Sequence, residues 1–260
     1  MEQIKVLLCE DSFEGIMSGV YDGWLYRNKY GRENVMLLCH EPDNYNMFHD
    51  YVILEKSSEK ATKVAESIKK KFTGAEFYNI YMTAISEERD KADILFRYIQ
   101  YAYDMGNRIV ECMAIPEVMS VTKICRRVNF EYDHLRGFLR FTELDNNTLK
   151  AQIEPKNDII ELLGEHFANR LPGENFLIED VGRKKVLLHK KHCDYFVYNN
   201  IVTDFGNYGI MSDREKVYED LWRVFFDTIA IEERRNSSLQ RNNLPIRFRK
   251  YMTEFVNKNQ

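Results

Sequence analysis

The spacing of apolar residues changes partway along this chain, and that change restricts the fold more than any other feature. Up to about residue 128 the apolar positions recur three and four apart, the period of an amphipathic helix. From about 136 to 198 they gather into short runs bounded by turn residues, and beyond 212 the helical spacing returns. Helices and strands that fall in separate stretches point to an α+β fold. The expected arrangement is a mixed N-terminal unit over 1–110, followed at 111–260 by a small antiparallel sheet packed with helices. The two are close enough in sequence to form one continuous domain.

The details follow the same periods. IKVLLCE (4–10) and YVILEK (51–56) are β-prone apolar runs. Between them Phe13, Ile16, Met17, Val20 and Trp24 mark a helix despite three glycines. Ala61, Val64, Ala65, Ile68 and Phe72 line a second helix, with Ser58 as its cap and Gly74 as its stop. A third spans 87–105 and ends at Gly106, and Pro116 suits the first turn of a fourth, whose stripe is Val118, Val121, Cys125 and Val128. RGFLRFTEL, LKAQIEP, NFLIED, KVLLHK and CDYFVYN are the strand candidates, interrupted by a helix over 157–171. Ser212 and Glu215 make a capping box ahead of Val217, Leu221, Phe225 and Ile229, which recur every four residues as in a helix.

The totals narrow the function. The chain has 260 residues, 30% of them charged and with a formal net charge of −4, so it does not attract nucleic acid as a bulk polycation. No apolar run reaches the roughly 18 residues that span a bilayer, so no membrane is expected. The opening MEQIKVLLCEDSFEG lacks a small-residue cleavage site, which leads to the expectation of a cytoplasmic protein. Cysteines 9, 39, 112, 125 and 193 form no CxxC or CxxxCxxC pattern. In HKKHCD, a strand would turn His192 away from His189 and Cys193, so no metal site is expected. Phosphate-loop, dinucleotide, nucleophile-elbow and deaminase motifs are absent, and no cofactor is expected.

Against this acidic background RRVNFEYDHLRGFLRF (126–141) stands out, with Arg126, Arg127, Arg136 and Arg140 interleaved with rings. Read as a strand, RGFLRF shows Arg136, Phe138 and Arg140 on one face, a pattern suited to phosphates and a stacked base. The same residues also suit a solvated face whose arginines pair with Glu131, Asp133 or Glu143. A second basic segment contains Arg234, Arg235, Arg241 and Arg247, and seven cations face three carboxylates between 232 and 258. His134, beside Asp133, can act as an acid or base if a pocket forms there, as can Asp11 and Glu14.

Three blocks carry a resemblance: DSFEGIM (11–17), HLRGFLRF with IEPKNDIIELLGEHFANRLP (134–141 and 153–172), and LWRVFFDTIAIEERRNSSLQRNNLPIRF (221–248). Together they are similar to a bacterial family of uncharacterised proteins assigned a probable role in DNA metabolism or DNA repair. The chain departs from that pattern at Cys9, Glu10 and Asp11, ahead of Ser12, and at Arg249, where the family has tryptophan. The resemblance implies the company of a radical SAM protein bearing a helix-hairpin-helix, and a related domain fused to uracil-DNA glycosylases. It assigns no catalytic residues. The leading expectation is a DNA-binding accessory protein that uses both arginine segments. A nucleic-acid-processing enzyme and a protein-only scaffold for the radical SAM partner remain as alternatives.

Overall fold

The computed structural model describes residues 3–199, 209–229, 231–234 and 236–255. It is an α+β protein whose contacts divide it into two compact units, 1–129 and 130–260. The division falls inside a helix, and the expected boundary near 110 lies in the 3-10 turn Gly106–Glu111 that precedes that helix.

In the first unit β1 (Ile4–Leu8) is the central strand of a three-stranded parallel sheet, between β2 (Val35–Leu38) and β3 (His49–Ile53). Helix α1 (Phe13–Tyr30) follows β1 and buries Ile16, Met17 and Val20 against Leu7 and Leu37. Ser12 caps it, its hydroxyl accepting from the Gly15 amide at 3.0 Å. A Cβ on Gly15 would run into the Glu10 carbonyl oxygen and lie 2.8 Å from the Glu10 Cβ, so the DSFEG turn needs glycine for close approach.

Helices α2 (Ser58–Lys71), α3 (Gly74–Ala84) and α4 (Lys91–Met105) complete this unit, burying Ile68, Ile80, Leu95, Phe96 and Ile99. The cap of α2 is Ser57 rather than Ser58, because Ser57 holds extended backbone while its hydroxyl accepts from Lys60. Gly74 lies at the start of α3, where Thr73 and Glu76 form a capping box.

Helix α5 (Pro116–Phe138) runs for 23 residues and passes from the first unit into the second. This overturns the reading of 136–141 as a strand. The buried stripe of Val118, Val121, Cys125 and Val128 continues to Leu135, and Leu139 N–H still bonds the Leu135 carbonyl at 2.9 Å. Arg136 and Phe138 are therefore helical and share no strand face with Arg140.

The second unit contains a five-stranded sheet in the order β4 (Thr142–Glu143), β5 (Thr148–Ile153), β6 (Asn175–Asp180), β7 (Lys185–His189), β8 (Tyr195–Tyr198). The sheet is mixed rather than purely antiparallel. α6 (Ile160–Arg170) crosses from β5 to β6, and a crossover of that kind makes its two strands parallel. The other strand pairs are antiparallel. Leu163 and Phe167 of α6 are buried on this sheet, as are Phe176, Ile178 and Leu187 from its strands.

Helix α7 (Asp213–Thr228) is capped by Ser212 and contains no buried residue. The residues that recur every four positions point to solvent: Val217 is 59% exposed, Leu221 58%, Phe225 51% and Ile229 56%. The less exposed positions are Glu215, Glu219, Arg223 and Phe226. Helix α8 (Ser237–Asn243) and a 3-10 turn over Ile246–Tyr251 follow, with Phe248, Met252 and Phe255 buried.

Candidate nucleic-acid interface

Within the second unit, the end of α5 and the C-terminal segment meet through two crossed ion pairs. Arg140 donates to Glu254 Oε1 at 2.9 Å, and Glu254 also accepts from the Trp222 indole at 3.3 Å. In the opposite direction, Arg247 of the tail lies 3.5 Å from Glu131 Oε1 of α5. Glu131 is 1% exposed and accepts from the amides of Lys156 at 3.0 Å and Asn157 at 2.8 Å, and from the Asn157 side chain at 2.6 Å. A buried carboxylate is tolerated only when donors surround it, and here the backbone turn at 156–157 supplies them. Between the two pairs Phe248 packs on the helix, its ring stacked on His134 at 5.3 Å and tilted against Phe138 at 6.4 Å. Glu131 was foreseen as an arginine partner, but its pairing with Arg247, and that of Glu254 with Arg140, was not. Their arginine partners lie more than a hundred residues away, beyond any local pattern.

The crossing opens onto a cleft of about 800 Å³, lined by Glu154, Pro155, Lys156, Gly182, Arg183, Ile246, Arg247 and Lys250. Four of these side chains are cationic and one is acidic. Arg183 is held by the Pro155 carbonyl at 2.7 Å, the Lys156 carbonyl, and the fully buried Asp180 at 3.4 Å. Burial raises the Asp180 carboxyl above its ordinary value, and the Arg183 amide and guanidinium oppose that shift. Lys250 pairs with Glu154, and that hydrogen bond with its charge holds the Glu154 carboxyl below the ordinary range. Arg183, fixed by backbone carbonyls and the buried Asp180, and Arg247, beside the buried Glu131, can meet phosphates with little further ordering, and the two lysines add charge at the same cleft. Lys156 stands in the turn between β5 and α6 and Arg183 in the turn between β6 and β7, so nothing local in the sequence joins them.

The expected residues fall into different settings. Arg126 and Arg127 lie on the part of α5 belonging to the first unit, Arg126 exposed and Arg127 paired with Glu88. Arg136 pairs with Asp133 at 3.4 Å and lies over the Tyr132 ring at 5.4 Å. Arg140 is taken up by Glu254, and Arg247 alone lines the cleft. Arg234 is exposed, Arg241 donates to the Ser237 carbonyl at 3.2 Å, and Arg235 lies outside the described residues. Arg249, where the resemblance has tryptophan, donates twice to the Leu244 carbonyl and covers the Phe255 ring at 4.9 Å.

The acid–base candidates are engaged in local contacts. Asp11 pairs with the buried Lys91 at 2.6 Å, and Glu14 lies 4.0 Å from Lys56. His134 Nδ1 lies 2.7 Å from the Phe130 carbonyl, one turn back on α5. His189 stacks on Phe176 at 4.4 Å with Nδ1 3.0 Å from the Glu174 carbonyl. Among the described residues no group of three His, Cys, Asp or Glu is placed to hold a metal, and no helix is long and apolar enough to cross a membrane.

Comparison with curated proteins gives no match. A family model described as a domain of unknown function, DUF4130, matches residues 89–254, a span that takes in α4, α5 and every residue lining the basic cleft. Since that match covers more than half of the chain, this protein belongs to the DUF4130 family.

Proposed function

We propose that this protein binds nucleic acid through the cleft at 154–156, 183 and 246–250, and serves as a DNA-binding accessory to an enzyme of DNA metabolism. The single observation that carries the reading is the set of four cations, Lys156, Arg183, Arg247 and Lys250, around one open cleft with one lining carboxylate. Four cations spread along an open cleft suit a chain of phosphates better than one compact anion. A radical SAM enzyme as the working partner rests on the sequence resemblance alone. The enzyme alternative draws less support, since Asp11 and His134 are each held by a neighbouring group.

The test is fluorescence anisotropy of labelled single- and double-stranded DNA across a salt series. With three to four phosphates engaged, log affinity falls against log salt with a slope of about −2 to −3.5. The double substitution K156E/K250E is expected to weaken binding and flatten that slope. Binding that ignores both salt and the substitutions refutes the reading.

A further inference from the structure

Helix α7 is built inside out. Its inward positions are Glu215, Glu219, Arg223 and one apolar residue, Phe226, which meets Phe255 at 5.8 Å; Arg223 bonds Glu219 at 2.9 Å, Asp220 at 3.0 Å and the Thr253 carbonyl at 3.4 Å. Outward it shows Val217, Tyr218, Leu221, Val224, Phe225 and Ile229, all more than half exposed. On a 3.6-residue period these six form one continuous stripe. A helix of 16 residues with no buried side chain gains little of the packing that stabilises helices in proteins. Contiguous apolar surface of this kind marks an interaction site.

The charges beside the stripe identify what covers it. Asp213, Asp220 and Asp227 recur every seven residues and form one edge, all of them exposed. The other edge opens into a groove of about 620 Å³ whose wall includes Tyr218, Leu221, Trp222 and Phe225 together with Glu215 and Glu219. Arg140 joins Glu215 and Glu219 in that wall, and between 213 and 228 five carboxylates stand against three cations, so the surroundings of the stripe are acidic in balance. Surface ion pairs offset part of this charge: Lys216 with Asp213 at 2.8 Å, Arg223 with Asp220 at 3.0 Å and Arg214 with Glu143 at 2.9 Å. A second copy is a poor occupant, because antiparallel pairing of two α7 helices sets the aspartate edge against itself. Like charges so placed are destabilising. DNA is repelled by the same edges.

We propose that α7 and its groove form a docking surface for an amphipathic helix of a protein partner, with apolar anchors on the stripe and lysine or arginine along both flanks. This surface is separate from the basic cleft, so the two can be engaged together.

The probe is a synthetic helical peptide of about 18 residues, matched to the roughly 24 Å length of α7. It is made with leucine and phenylalanine on one face and either Lys/Arg or Glu flanks. Binding to the full chain is followed by anisotropy and by Trp222 fluorescence. The basic-flanked peptide is expected to bind about tenfold or more tightly than the acidic one. D213K/D220K/D227K should reverse that preference, and L221E should abolish binding of both while far-ultraviolet circular dichroism stays unchanged. Equal binding of the two peptides, or binding of neither, overturns the proposal. So does sedimentation as a dimer that L221E converts to monomer, which would assign the stripe to a second copy.

Discussion

Glu131→Ala is the substitution that most directly tests how the second unit is held together. Glu131 is 1% exposed, and its two oxygens serve four donors: the Lys156 amide, the Asn157 amide, the Asn157 side chain and Arg247. Truncation leaves two backbone N–H groups without a partner, each costing about 1–3 kcal/mol. It also strands the Asn157 amide and the guanidinium. Such losses are not additive, and removing one partner of a buried charged cluster costs about 3–5 kcal/mol in total. Against a domain stability of about 5–15 kcal/mol that is a large fraction.

Arg247→Met is expected to behave differently. The Arg247 side chain is 41% exposed and its contact with Glu131 is long, at 3.5 Å, so solvent screens the pair. Its loss is worth about 1 kcal/mol or less, since the three N–H donors still hold the carboxylate. Urea unfolding of both variants, with unchanged m-values, measures the difference as a shift in midpoint. A loss below about 1 kcal/mol for E131A, or equal losses for the two variants, would refute the view that the 156–157 turn rather than the arginine stabilises the buried charge.

Other consequences are open to direct measurement. Gly15→Ala drives a methyl group into the Glu10 backbone and should destabilise the first unit by about 1–3 kcal/mol, read by thermal unfolding. Burial, then the neighbouring Cys39, pushes the Cys9 thiol up to about 12, so in the folded chain a thiol reagent at about pH 8 should label the exposed Cys193 and spare Cys9 until denaturant is added. Because the folded state holds that proton more tightly than the unfolded chain, this group's contribution falls as pH rises from 9.0 toward 12, and Cys9→Ala should remove that part of the alkaline loss.

The apolar periods were enough to read most elements, because helix stripes and strand runs record which side faces the core. They failed where a local signal pointed two ways. Gly74 looks like a stop after α2, yet Thr73 and Glu76 make it the opening of α3, and without that capping box α3 went unread. The four residues of β2 are too few to show a period, and its place beside β1 depends on the parallel pairing Lys5↔Val35. RGFLRF alternates as a strand would, but Leu135 extends the stripe of α5 and the last helical turn forms before the alternation can be used. The four-residue spacing of α7 was legible, and the face it marks lies in solvent. Periodicity reports which residues share a face, and burial depends on what else is present to cover it.

The same distinction explains why arginine content alone overstates a binding surface in this chain. Arg140 and Arg247 belong to different segments and do converge, but each faces a buried glutamate of the opposite segment. Arg127 and Arg136 are answered by Glu88 and Asp133, and Arg249 by a carbonyl and a ring. A guanidinium whose donors are occupied has little left for phosphate unless it stays partly exposed beside other cations. Arg247 meets that condition because Lys156, Arg183 and Lys250 line the same cleft, whereas Arg140 bonds Glu254 and lines a groove beside Glu215 and Glu219. The prediction that follows is a split within one pair of residues. Substituting Arg140 by methionine should lower stability, because it strands a carboxylate 5% exposed, and leave nucleic-acid affinity per folded molecule unchanged. Substituting Arg247 should do the reverse, weakening binding with little loss of stability. Anisotropy titrations normalised to the folded fraction separate the two, and equal loss of affinity in both variants would mean that the crossed arginines, and not the cleft, contact the phosphates.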